Sequence, residues 1–471
     1  MEGYKTVKRF DVDTEKGPEG GRKRFLYIAA CTVNLTAFAC GIALGWTSPI
    51  TPKLKGTSGN PLGEPITTEQ SSWIASLLPL GAAIGPWFAG ISADKVGRKL
   101  TLFSTTLPIT FAFVISAFAT NIWFFYLARF MCGLSIGGIF TVLPIYIGEI
   151  STDEDRGPLG SFMQLFITLG LLFAYCVGPY VEISTFNLYS TVIPLMFLFA
   201  LYLIIPETPH YYIAKGNMCK ANESLKKLRM MEDVSVELNG IQNSVENSLK
   251  DEGSFKELFQ KPNLRKALIL SVGLVAFQQL SGINIVLFCA QSIFDEAAGA
   301  IEPEIAAIII SAVQVGSSLM TPFFVEKSGK RFLLIMSGLL MGLSQALLGT
   351  YFYYHKGSWN LDNYTYLPVG CLITYIIFYC LGFGPLPWAI MGELFPSNVK
   401  SISSTFTASG CWILGWMLLK FFDPVMEVIG IGPSFWLFSG FCFLSIIFVY
   451  KYLPETSGKS LQEIQDILCA K

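Results

Sequence analysis

Amide side chains lie inside several long apolar runs of this sequence. Gln164 sits in a Phe/Leu/Ile stretch, Gln278, Gln279 and Asn284 sit close together in a second run, and Gln314 sits in a third. An amide offers donors and acceptors without charge. A polar side chain in hydrocarbon is costly, so it turns toward a cavity or another helix. That chemistry suits a neutral polyhydroxyl ligand and suits an ion poorly. Bonding between helices is the other use of a membrane amide. Both uses fit Gln314, whereas the group from Gln278 to Asn284 fits a ligand better. Trp388 and Trp412 follow Gly/Pro-rich or small-residue stretches. Their faces can pack on the apolar C–H face of a polyhydroxyl ring while its hydroxyls go to the amides. Trp46, Trp123 and Trp359 fit better as interfacial anchors.

The spacing of the amides sets a requirement. At about 100° per residue, Gln278 and Asn284 are about 120° off a common helical face, so a continuous helix would not converge them. Ser281-Gly282 lies between them, and Gly weakens a helix there. A local unwinding would turn Asn284 toward the same cavity, and discontinuous helices are where transporters build sites.

The elements that must carry these residues are membrane spans. Hydrophobic residues make up 52% of the 471 and charged residues 14%, against about 25% charged in ordinary soluble domains. Twelve runs are long enough to span a bilayer: 25–46, 70–92, 100–120, 122–147, 158–180, 187–205, 264–292, 304–325, 332–354, 366–391, 401–421 and 433–453. The expected fold is an all-α membrane protein with two six-helix halves, 25–205 and 264–453. A polar tail over 1–24 precedes them, a helical linker over 206–263 joins them, and a tail over 454–471 follows. The loop 47–69 after the first span is expected to be irregular. Lys and Arg concentrate on the side that holds both termini, so both termini are expected to be cytoplasmic. The polar 1–24 segment ahead of a full-length first span argues against a signal peptide.

Three motifs occur twice, in the same order and roughly 240 residues apart. Asp94-Lys95-Val96-Gly97-Arg98-Lys99 returns as Glu326-Lys327-Ser328-Gly329-Lys330-Arg331, Gly148-Glu149 as Gly392-Glu393, and Pro206-Glu207-Thr208-Pro209 as Pro454-Glu455-Thr456-Ser457. A duplicated membrane half is the arrangement of a transporter whose site lies between its halves.

These motifs resemble the sugar-porter family of the major facilitator superfamily. So do Pro144-x-Tyr146-x-x-Glu149-x-Ser151 with Arg156-Gly157, Gln278-Gln279-Leu280-Ser281-Gly282-Ile283-Asn284, Gly384-Pro385-Leu386-Pro387-Trp388 and Glu393-Leu394-Phe395-Pro396. The match runs in family order over nearly the whole chain. Gly45-Trp46-Thr47-Ser48-Pro49 looks most like insect facilitated trehalose transporters, with facilitative glucose transporters as further relatives. The resemblance implies that Arg98, Lys99, Glu149 and Arg156 of one half face Glu326, Lys330, Arg331 and Glu393 of the other, as a latch on the cytoplasmic rim. Ordinary solvated charges are the alternative. The sequence departs from the family pattern at His210, Phe288, Cys289, Cys380 and Cys411, which puts the hexose contact set in doubt and implies a wider or more apolar pocket.

Enzymatic readings find little support. There is no phosphate loop, so ATP drive is not expected. The eleven cysteines form no Cys-x-x-Cys pair and there are two histidines, so no metal, cofactor or catalytic triad is expected. No Asp or Glu lies at mid-depth in a span, and Thr47 stands where proton-coupled sugar porters carry Asp. Facilitated uniport of a neutral sugar, trehalose or a hexose such as glucose, is therefore the expected function, in a plasma membrane and without nucleic-acid partners. A monomer is the expected functional unit. A proton-coupled symporter and a transport-inactive sugar sensor are the alternatives. Asn363-Tyr364-Thr365 is a glycosylation sequon in an expected external loop.

Overall fold

A computed structural model describes residues 19–456 except 58, 153–154, 251–256, 298–300, 357–363 and 396, together with 463 and 467. Among the described residues, twelve helices are long and apolar enough to cross a membrane. Spans one to six are Lys23–Lys55, Thr68–Val96, Arg98–Ala117, Ile122–Ile150, Pro158–Val177 and Ile183–Leu203. Spans seven to twelve are Pro262–Phe288, Pro303–Val325, Lys330–His355, Leu367–Leu394, Ile402–Phe422 and Ile431–Tyr452. Each expected run has its helix.

Local chemistry starts several of them. Thr67 and Gln70 form a reciprocal capping box at span two, and Asn121 accepts from the Trp123 amide at span four. The largest departure from expectation follows span one. Residues 47–55 are not loop but a helix, Thr47–Lys55. Ile50 and Leu54 of this turn are fully buried. Pro49 falls in its first turn, where a missing N–H costs nothing.

Small residues bring the helices together. A Cβ at Gly81 or Gly85 of span two would run into the backbone of span four. One at Gly133 or Gly137 of span four would run into span two. Gly41 and Gly170 do the same for spans one and five, and Gly349 and Gly432 for spans nine and twelve. Close backbone approach of this kind drives helix association in lipid, where burial of apolar surface gives little.

Spans one to six pack among themselves, as do spans seven to twelve. The halves meet along two seams, span two on span eleven and span five on span eight. A six-span shift exchanges these seams, as a pseudo-twofold axis requires. On the face that carries the termini, the segment between the halves forms short helices: Pro209–Ala214, Met218–Arg229, Ser235–Lys250 and Glu257–Gln260. Arg229 fastens them, donating to the Ile150 carbonyl at 2.8 Å and pairing with Glu237 at 2.7 Å.

Candidate ligand cavity between the halves

Two broken helices build the cavity. Span seven breaks at Gly282, whose φ of 83° lies in the left-handed region. The freed Ser281 carbonyl is satisfied by Gln345 Nε2 at 2.6 Å and by the Tyr375 hydroxyl at 3.0 Å. The helix resumes as Ile283–Phe288. The break turns Asn284 as the spacing required: its Nδ2 donates to Gln279 Oε1 at 2.5 Å. Span ten breaks between Leu381 and Leu386. Gln278 Nε2 reaches across to the carbonyls of Phe383 and Gly384 that the break frees, at 2.7 and 2.8 Å. Helix-to-helix bonding therefore occupies the Gln278 amine.

The cavity holds about 280 Å³. Gln164, Gln278, Gln279, Asn284, Gln314, Trp388 and Trp412 all line it. Gln279 Nε2 points to Cys411 Sγ at 3.2 Å, and the missing side chain of Gly415 makes room for the Gln279–Asn284 pair. Gln314 Oε1 is buried without a partner. The Trp412 ring rests against Phe140, centroids 6.0 Å apart. No Asp, Glu, Lys, Arg or His is among the described lining residues. Sequence reasoning missed Phe140 and Tyr379 as lining residues, since an aromatic in an apolar run reads as core. Cys411 stood out only as a departure from the family pattern.

The lining includes Pro144, Gly160 and Met163, from the parts of spans four and five nearest the termini. The opposite face is sealed. The Tyr175 hydroxyl donates to the Leu287 carbonyl and the Gln291 amide to Ser48 Oγ, both across the halves. Arg129 of span four donates to the Ala43 and Ile74 carbonyls at 2.6 and 3.1 Å. Its guanidinium lies 5.4 Å from the Trp46 ring and 5.7 Å from Phe288 of the other half. Trp46 is therefore not the interfacial anchor expected of it. It is 2% exposed and donates to Asn187 Oδ1 at 2.9 Å. Trp123, 70% exposed, does fit the anchor role. Trp359 lies outside the described residues.

On the terminal face, the repeated motifs close a ring within each half. In the first, Arg98 pairs with Glu149 at 2.9 Å, and Glu149 also accepts from Thr208 Oγ1. Glu207 accepts from the Arg98, Lys99 and Thr208 amides at 3.1, 3.0 and 2.9 Å, capping span three. Burial pushes the Glu207 carboxyl above its usual range, and these amide donors act the other way. In the second half, Lys330 pairs with Glu393, and Glu455 accepts from the Arg331 amide at 3.2 Å. The Arg331 side chain turns to the Tyr450 carbonyl. In this structure Arg98 and Lys330 each meet a carboxylate of their own half rather than one directly across the seam. The side chains of Arg156 and Glu326 lie outside the described residues, as does Asn363. Glu207 and Glu455 were visible as a repeat, but their capping role was not.

The profile of the sugar (and other) transporter family matches residues 2–468. The chain belongs to that family. This transporter is 33% identical to the facilitated trehalose transporter Tret1 of Bombyx mori over 449 residues, 94% of this chain and 87% of that one. It is 33% identical to the Tret1 of Drosophila willistoni over 442 residues, 93% of this chain and 50% of that longer one. Among solved structures, the inward open conformation of the xylose transporter XylE from E. coli superposes with a TM-score of 0.76 at 22% identity. It covers 94% of this chain and 99% of that one. The transporter thus has the major facilitator fold, and it is not an enzyme.

Proposed function

We propose that this transporter moves a neutral sugar, trehalose or a hexose such as glucose, down its gradient across the plasma membrane, with both termini cytoplasmic. The observation that carries the reading is the cavity itself. Seven amide and tryptophan side chains from both halves converge on it, and no Asp, Glu, Lys, Arg or His is among its described lining residues. Orientation rests on the excess of Lys and Arg on the terminal face. Trehalose ranks first because the relatives at 33% identity are named for it.

The mechanism follows from which bonds are available. Asn284 Nδ2 donates to Gln279 Oε1. Sugar hydroxyls can replace both partners at little net cost, since a hydroxyl donates and accepts. Gln278 Oε1 and the unpartnered Gln314 Oε1 accept from further hydroxyls. Trp388 and Trp412 cover the C–H face. Gln164 is the one amide of the first half on the lining. A sugar bridging it to the second half draws the halves together around the cavity. It thereby favours the occluded state over the open one, as alternating access requires.

Uniport rests on the same lining. A proton-coupled carrier needs a titratable group whose charge changes during the cycle, and the described lining holds no carboxylate or imidazole for it. Arg129 answers to backbone carbonyls and aromatic rings rather than to a carboxylate. Uptake of radiolabelled trehalose, glucose, fructose and sucrose in oocytes tests the reading. Internal sugar should level off at the external concentration. Accumulation above it that a protonophore abolishes would overturn uniport, and uptake of none of the four would overturn sugar transport.

A further inference from the structure

A second pocket of about 180 Å³ lies between the halves on the sealed side, opposite the termini. Thr47, Thr51, Ser71 and Lys55 line it from the first half, and Phe288 and Ser292 from the second. It is distinct from the central cavity but nearly in line with it. Leu44 of span one faces the central cavity and Thr47, one turn on, faces the second pocket. In span seven the division falls between neighbours, Leu287 on one side and Phe288 on the other. The wall between the two compartments is thus a single helical layer, clamped by Arg129 between Trp46 and Phe288.

The pocket's chemistry repeats that of the central cavity with hydroxyls in place of amides. Thr47, 1% exposed, lines the pocket, yet its Oγ1 has no hydrogen-bond partner in the protein. A buried hydroxyl left unpaired costs free energy unless something else answers it. Thr51, Ser71 and Ser292 add donors and acceptors on both sides, and the Phe288 ring supplies an apolar face. Lys55 is the one charge in the lining and is exposed. A volume of 180 Å³ is room for about six waters at roughly 30 Å³ each, or for one sugar ring.

We propose that this pocket is an outer staging subsite, which holds one ring of the sugar against the closed gate before the central cavity becomes accessible from that side. The proposal rests on the sugar-transport reading above. A disaccharide fits it end-on, one ring in the pocket and the other in solvent.

Cys289 lines the pocket and supplies the probe. The Cys176→Ser variant removes the exposed thiol of span five. In cells expressing it, a membrane-impermeant thiol reagent is applied from outside, with or without trehalose or glucose. Sugar should slow the modification of Cys289. The protection should survive Gln278→Ala with Gln279→Ala, which disables the central site. Thr51→Val or Ser292→Ala should raise the half-protecting sugar concentration about two- to tenfold, the worth of one neutral hydrogen bond. Protection that disappears with the central variants would show that the signal comes from the central cavity, and would overturn the proposal. So would an absence of protection in the Cys176→Ser parent, or protection by sulfate but not by sugar, which would make the pocket an anion site. Sugar uptake measured in the same parent cells separates the two claims. Uptake without protection sinks the subsite alone, whereas no uptake of any sugar sinks the transport reading.

Discussion

The two halves of this transporter share a plan and divide its duties. On the terminal face the two halves are tied by different cations. Arg98 meets Glu149 through two nitrogens, and three backbone amides converge on Glu207. The second half has Lys330 in place of the arginine, Glu455 accepts from the Arg331 amide, and Glu393 Oε2 and Arg331 Nε are buried without partners among the described residues. At the cavity the second half predominates. Gln278, Gln279, Asn284, Gln314, Trp388 and Trp412 all belong to the second half, against Gln164 alone from the first. Duplication kept a shared backbone plan while letting the two copies differ in their ion pairs and in the polar side chains they bring to the cavity. An arginine fork is pre-organised for a carboxylate, whereas a lysine is a mobile point charge. Two helix breaks, both in the second half, are what free the backbone and side chains to form a site.

The largest effect that would test this division is on stability. Glu207→Ala strips the acceptor from three amides and should cost about 2–3 kcal/mol. Thermal stability in detergent by fluorescence-detected gel filtration measures it, and an unchanged melting temperature would show that the Glu207 cap carries no load. Next comes recognition. Gln279→Ala and Asn284→Ala should each raise the KM for sugar several-fold, at about 0.5–1.5 kcal/mol per lost bond. Gln164→Ala should raise it less, and surface expression should hold in all three. If Gln164→Ala proves the most damaging, the second half does not dominate recognition.

A smaller effect separates the two charge pairs. Arg98→Lys should slow uptake by about two- to fivefold by breaking a two-nitrogen contact, while Lys330→Arg should leave it near normal. Initial rates at matched surface expression decide this, and reversed sensitivities would mean that the second pair carries the greater load. The smallest effect expected is none: collapsing the proton gradient should leave initial sugar uptake unchanged. Inhibition under that treatment would place a titrating group in the cycle and return proton coupling to consideration.

Much of this was readable from residue order. Each expected apolar run became a helix, because a span must satisfy its own backbone and declares itself by length and hydropathy. The Ser281-Gly282 break followed from a conflict of angles: two amides that needed one cavity could not share a face of one helix. Where expectation failed, the cause was distance along the chain. The segment after Trp46 looked like loop because its Pro, Thr and Gly content is local. Its helix depends on Ile50 and Leu54 finding cover in the packed protein. Trp46 carried the signature of an interfacial anchor, and only the approach of Asn187 and Arg129 made it a buried one.

By itself the sequence determined the number of spans, the duplication, the identity of the polar residues within hydrocarbon, and the place where span seven must break. These depend on composition and on periodicity within one helix, and neither needs a partner. Tertiary structure alone decided which groups those residues answer to. Arg98 turned to Glu149 of its own half, Gln278 spent its amine on the broken backbone of span ten, and Glu207 capped span three. A second pocket took shape behind a single layer of helix. Hydrogen bonds and ion pairs are short-ranged, and their partners come from helices far apart in the chain, so only the packed helices could select them.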